Sequence, residues 1–121
     1  MDKAQIRRQI NALQKTKAEY TRDLEKLKKA LVKAGEIASD LSGASSKLSS
    51  VISSLNSSFT INGKTGDGGK LEKCKSTLSS DMKSLDSIKS SIQQEINKLN
   101  NRIRNVESQI RSLERQYSQM E

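Results

Sequence analysis

Hydrophobic residues recur at alternating steps of three and four along almost the whole chain. Written as heptads abcdefg, the first half keeps one register for eight heptads, and only Lys17 and Ser45 interrupt its apolar a and d positions. A register of this length predicts a coiled-coil-like helix. Its d positions are Ile6, Leu13, Tyr20, Leu27, Ala34, Leu41, Leu48 and Leu55, and its a positions are Ile10, Lys17, Leu24, Leu31, Ala38, Ser45, Ile52 and Phe59.

The pattern stops at residues 62–69, which hold four of the six glycines. Glycine costs about 1 kcal/mol in a helix interior, and Asn-Gly and Asp-Gly steps favour turns. The heptads then resume with d positions at Leu71, Leu78, Leu85, Ile92, Leu99, Val106, Leu113 and Met120, and a positions at Ile96, Ile103, Ile110 and Tyr117. The sequence therefore predicts an all-α fold, a long antiparallel two-helix hairpin that forms a single domain over 1–121. We expect one helix over about 3–59, a turn over about 60–70 with its glycine-rich part at about 61–69, and a second helix over about 71–120.

A second apolar line appears at the g positions on both sides of the predicted turn. Two helices need only one seam, so a widened stripe predicts that a further helix packs there. Small residues beside the line would let that helix approach closely. The predicted partner-binding residues are Ala30, Ala34, Ile37, Ala38, Ala44, Val51, Ile52, Cys74 and Ile88.

The same half of the first helix is rich in serine, with ten serines between residues 39 and 58. Serine is roughly 0.5 kcal/mol worse than alanine in a helix, so this stretch gives up about 5 kcal/mol of helix preference. Two interpretations stay open. The serines form a solvated face, or this half folds weakly until a partner binds.

The composition argues against an enzyme. Only 32% of the residues are hydrophobic and 2% aromatic, and the chain has no histidine, tryptophan or proline. Without histidine the chain lacks the commonest general base and the commonest metal ligand. The glycine-rich segment lacks the spacing of a phosphate-binding P-loop. We therefore expect no catalytic residue, no cofactor and no metal site, and a binding or structural role.

Two single residues carry separate predictions. Cys74 lies on the apolar stripe, and we expect it to be a small buried hydrophobic residue. Lys17 occupies an a position, where a polar residue can specify register and oligomeric state. Its side chain can also extend out of the seam toward water, and the sequence does not decide between these roles.

The net charge of +8 is concentrated near the start of the chain, where residues 1–38 hold ten Lys or Arg against five Asp or Glu. This basic end is suited to an acidic partner. Acidic residues interleave with the basic ones and aromatic residues are scarce, so we expect no nucleic-acid binding. We expect no membrane insertion, because no apolar run approaches the roughly 18 residues of a spanning helix. The first residues also lack the core of a signal peptide.

The predicted turn carries a resemblance to a known family. The segment Phe59-Thr60-Ile61-Asn62-Gly63-Lys64-Thr65-Gly66-Asp67-Gly68-Gly69-Lys70-Leu71 resembles the inter-helix turn of the WXG-like partner proteins encoded beside LXG-type toxins in Gram-positive type VII secretion. The size, serine content and lack of proline are also similar. The Trp-x-Gly motif of the wider family is missing, which points to the divergent partner branch.

The resemblance implies a non-catalytic adaptor, or targeting chaperone. Such a protein binds the helical N-terminal domain of a toxin and presents it to the export machinery, often beside a second small helical protein. It would act in the cytoplasm, or be secreted with its partner. Tyr117 and Glu121 have the spacing of the Tyr-x-x-x-Asp/Glu export signal, although core packing at an a position explains Tyr117 equally well. The alternative function is a structural coiled-coil protein of a phage or cell-envelope assembly, which forms a homodimeric four-helix bundle when alone.

Overall fold

The computed structural model describes the backbone of residues 2–58 and 68–120, and the side chains of 2–54 and 71–120. It contains two long helices, α1 (Lys3–Ser58) and α2 (Gly68–Gln119), and these described residues include no strand. The prediction of an all-α, two-helix hairpin is confirmed. Most of the predicted glycine-rich turn, at 59–67, lies outside the described residues. Helix α2 begins at Gly68, three residues before its predicted start at about 71.

The start of α1 is closed by a reciprocal pair of hydrogen bonds. The backbone N–H of Gln5 donates to Oδ1 of Asp2 at 2.8 Å, and the N–H of Asp2 donates to Oε1 of Gln5 at 3.0 Å. This capping box satisfies backbone groups that the first helical turn would otherwise leave unpaired. An N-cap residue followed three positions later by glutamine is a sequence signal for a capping box, and it is independent of the heptad pattern.

The chain divides into two compact units, each built from a part of both helices. We call Met1–Ala30 with Ile92–Glu121 the terminal unit and Leu31–Ser91 the middle unit. In the terminal unit the start of α1 packs antiparallel against the end of α2. The cluster at its centre consists of Ile6, Ile10, Val106 and Ile110, with Leu13, Tyr20, Leu113, Tyr117 and Met120 packed against it.

From Ile6 onward, every a and d position whose side chain is described is buried or half-buried, which agrees with the heptad register. The two units fill these positions differently. The fully buried hydrophobic residues of the terminal unit are Ile6, Ile10, Leu24, Ile96, Leu99, Val106 and Ile110, whereas those of the middle unit are Ala34 and Ile52. Because burial of large aliphatic side chains dominates stability, the main core of the described chain lies in the terminal unit.

Candidate functional site

The seam of the middle unit contains small or polar residues at several a positions, among larger aliphatic ones. Ala38 and Ser45 occupy a positions of α1, and Lys75 and Lys89 occupy a positions of α2. All four are half-buried. These positions bury less apolar surface than leucine or isoleucine would, so the two helices hold each other less strongly here.

Further large aliphatic residues of this unit lie beside the seam, at the g positions. Ile37, Val51 and Ile88 are 51%, 48% and 52% exposed. In an antiparallel hairpin the g positions of both helices border the same side of the seam, because the two chains run in opposite directions. We call this side of the middle unit the g flank, and it consists of Ile37, Ala44, Val51, Cys74, Asp81 and Ile88, all of which are exposed.

Half-buried leucines widen the g flank into a largely apolar surface. On a helical wheel the g position adjoins the d position, and residues three or four apart lie on one face. The adjoining d residues of this unit are Leu41, Leu48, Leu78 and Leu85, all half-buried. The lysines of the seam occupy a positions, which adjoin the opposite, e side. The g flank and the d leucines therefore form an apolar stripe across both helices.

The predicted partner-binding residues fall into two groups. Ala34 and Ile52 are buried within the hairpin itself, and Ala30 and Ala38 are half-buried. The remaining five are exposed members of the g flank: Ile37, Ala44, Val51, Cys74 and Ile88. The prediction that Cys74 is buried is wrong, since its side chain is exposed. The reason is its g position, which lies outside the seam of a two-helix hairpin.

The g flank also contains an acidic residue that the apolar pattern does not indicate. Asp81 lies in the g line of α2, seven residues after Cys74 and seven before Ile88. The heptad spacing was the signal that could have identified it. Its neighbours at three and four residues along α2 are Thr77, Leu78, Ser84 and Leu85, none of which is basic. No cation in the described part of the chain forms an ion pair with Asp81.

The corresponding side of the terminal unit has a different character. Its g positions in the described residues are Gln9, Thr16, Asp23, Ala30, Glu95, Arg102, Gln109 and Gln116. A surface depression of about 480 Å³ lies there, lined by Gln9, Ala12, Leu13, Gln109, Ser112 and Leu113. These residues offer amide and hydroxyl groups but no ionisable side chain. The apolar widening is thus a property of the middle unit.

Tyr117, the first residue of the candidate export signal, packs in the terminal unit. It is half-buried against the core cluster. The Nζ of Lys3 lies 4.8 Å from its ring centroid and the Cζ of Arg7 lies 4.7 Å from it, so two cations of α1 contact the ring. Hydrogen bonding and the charge of Arg7 lower the pKa of Tyr117. Glu121 lies outside the described residues, so the export signal stays a prediction.

The described residues contain no cluster of three or more His, Cys, Asp or Glu side chains that could hold a metal ion. Among the same residues, neither helix has a stretch that is long and apolar enough to cross a membrane. No protein-family model matches this chain, and no curated protein or solved structure matches it.

Proposed function

We propose that the protein is a non-catalytic adaptor that binds the helical N-terminal domain of a type VII secreted LXG-type toxin and assists its export. The observation that carries the binding role is the exposed apolar g flank of the middle unit, where Ile37, Val51 and Ile88 are each about half exposed. Exposed apolar surface beside a weak seam is typical of a helix that packs against another chain. The toxin as partner rests on the resemblance of the turn segment.

In this proposal the two units have different tasks. The terminal unit supplies the stable core, with Ile6, Ile10, Val106 and Ile110 packed together. The middle unit contributes its g flank to a multi-helix bundle with the toxin domain, alone or beside a second small helical protein. The adaptor acts in the cytoplasm before export, and presentation to the export machinery follows from complex formation.

The test is affinity purification of the tagged chain from cells that express its native gene cluster, followed by light scattering of the purified complex. We expect a complex of fixed ratio, because the surface left exposed on the adaptor is covered by helices of the toxin. Ile37→Asp should abolish the complex, since it places a charge within the apolar surface. Val32→Asp is the matched control, because Val32 is 62% exposed in the same unit but lies at a b position.

Two results would contradict the adaptor role. One is an Ile37→Asp variant that still purifies with the toxin domain at the wild-type ratio. The other is a chain that purifies alone as a stable helical dimer, which would favour the structural four-helix bundle instead. A homodimer would bury the same g flank, so the mass of the complex distinguishes the two functions.

A further inference from the structure

The g flank has a polar residue at its centre. The Arg7–Tyr117 and Lys17–Glu107 contacts fix the register of α1 against α2. The heptad repeat extends this register to three layers of the g flank: Ile37 with Ile88, Ala44 with Asp81, and Val51 with Cys74. Successive layers are seven residues apart, about 10.5 Å along the helices. The surface therefore presents an apolar layer, an acidic layer and a second apolar layer in that order.

Covering this surface would remove the Asp81 carboxylate from water. A carboxylate that loses its water without gaining a cation or hydrogen-bond donors carries a large desolvation cost. No described cation pairs with Asp81 in the isolated chain. No basic residue lies three or four positions from it along α2, the other g-flank residues are uncharged, and Lys47, three residues after Ala44 in α1, forms no ion pair with it. Ala44, the residue sharing its layer, is small and leaves room for a long side chain from outside.

From this arrangement, and resting on the adaptor function proposed above, we infer that the occupant of the g flank is a helix of a different protein that brings a Lys or Arg to Asp81. That helix carries large apolar residues about seven positions before and after the cation, which pack on the Ile37–Ile88 and Val51–Cys74 layers. The apolar contacts provide affinity. The ion pair selects the partner, because a helix with an acidic or apolar residue at the central position leaves Asp81 repelled or unpaired.

The Ala44–Asp81 layer makes it unfavourable for a second copy of this chain to bind the g flank. A two-fold dimer presents the same patch from both subunits. Because the Ala44–Asp81 layer is the middle of the patch, the two copies bring both Asp81 carboxylates into one layer. The g flanks of the two copies offer no cation to that layer, so like charges face each other as apolar surface is buried. The wild-type surface is therefore unfavourable for self-association and suited to a basic helix.

The test uses a charge-reversed copy of the chain as a defined partner. Wild-type protein and an Asp81→Lys variant are each studied alone and as an equimolar mixture by sedimentation velocity, with reductant present to keep Cys74 a thiol. In the mixture each chain provides the apolar layers, and the lysine introduced in one chain can pair with Asp81 of the other. We expect the mixed complex to be at least about tenfold tighter than either protein with itself. Ile37→Asp in both components should abolish this gain.

Asp86→Lys is the matched control, because Asp86 is an exposed acid of α2 at an e position, on the other side of the seam. Its mixture with wild-type protein should show no gain. Three results would overturn the inference. The proteins could associate equally in every mixture, they could fail to associate in any mixture, or Asp86→Lys could increase the affinity as much as Asp81→Lys does. The experiment contains no toxin, so its failure is distinct from failure of the adaptor function, which the Ile37→Asp co-purification decides.

Discussion

The ammonium group of Lys17 lies 3.5 Å from the carboxylate of Glu107, which joins α1 to α2 at a heptad a position of the terminal unit. The aliphatic stem of Lys17 lies at the seam while its charge reaches an acidic residue at the seam's edge. Both side chains are more than a third exposed, at 42% and 36%, so solvent screens the pair and its contribution to stability is small. The charged end of Lys17 thus extends out of the seam, and a role of this residue in specifying register or oligomeric state stays a prediction.

Replacement of Lys17 by leucine should stabilise the isolated chain. The position lies between apolar layers, so a leucine buries more apolar surface than the lysine stem does. The free energy gained by this burial exceeds that lost with one screened ion pair. We expect a gain of about 1 kcal/mol in the free energy of unfolding, measured by urea denaturation. Lys15→Leu, at an exposed f position, is the control and should change little. A loss of stability in Lys17→Leu would show that the ion pair outweighs the added packing.

The two units should differ in hydrogen exchange when the protein is studied alone. Amides of the terminal unit are protected by the Ile6–Ile110 cluster, whereas the middle unit has Ser45, Lys75 and Lys89 in its seam. We expect faster exchange in the middle unit within both α1 and α2. Exchange measured by mass spectrometry on the isolated chain checks this, and adding the toxin domain should slow the middle unit selectively. Uniform protection along both helices would be inconsistent with a weakly held middle unit.

The helices and their seam were predictable because both follow from the spacing of apolar residues along the chain, which the sequence displays directly. The a and d positions named from the sequence are buried or half-buried wherever their side chains are described, including Lys17 and Ser45. The capping box is not evident from the heptads, because Asp2 and Gln5 form it through side-chain chemistry at the helix start and not through apolar periodicity.

The candidate site was predictable in its position but not in its exposure. Periodicity shows that Ile37 and Cys74 adjoin the seam, but whether such a residue is covered depends on the number of helices present. Two helices leave the g positions open, which is why Cys74 is exposed although its stripe is apolar. Apolar periodicity does not indicate Asp81, because an acid in the g line interrupts the apolar pattern. The layer that it shares with Ala44 becomes evident only from the register of both helices.

Tyr117 should ionise at a lower pH than an ordinary tyrosine, because Arg7 lowers its pKa from about 10. Its ionisation therefore stabilises the folded chain at pH above the ordinary tyrosine pKa, and this contribution is lost as the pH falls through the lowered value. An absorbance titration in a Tyr20→Phe background reports Tyr117 alone, since the chain has two tyrosines. Arg7→Gln should raise the pKa again. Arg8→Gln, at an f position, is the control, and an equal shift in both variants would exclude a specific effect of Arg7.

Cys74 should report directly on whether the g flank is covered. Its thiol is exposed and is the only one in the chain, so a thiol-specific reagent should label the isolated protein readily. Binding of the toxin domain should slow the labelling several-fold. A variant with Cys74→Ser and Ser80→Cys moves the thiol to an exposed f position of α2 and should keep its rate in the complex. Unchanged labelling of Cys74 in a formed complex would place the toxin on another surface.

Substitutions of Tyr117 and Glu121 should show whether Tyr117 belongs to an export signal or only packs on the core. Tyr117 contacts Lys3 and Arg7 and packs on the core cluster, so Tyr117→Ala alone is ambiguous, because it removes packing as well as any signal. Glu121→Ala separates the two roles, since the signal interpretation requires the acid four residues after the tyrosine while the packing of Tyr117 on the core does not. If the signal is read, both substitutions should lower secretion of the toxin, measured by immunoblot of culture medium, and neither should reduce complex formation in the cytoplasm.

The control for this pair is Glu114→Ala, an exposed acid of α2 at the e position before Tyr117. It should leave secretion unchanged, because it removes an acid of the same helix without altering the Tyr-x-x-x-Glu spacing. Normal secretion with Glu121→Ala, together with a weaker complex for Tyr117→Ala, would assign Tyr117 to packing. In that case the two cations of α1 hold the ring as part of the terminal core, and the proposed export function would require recognition of another surface.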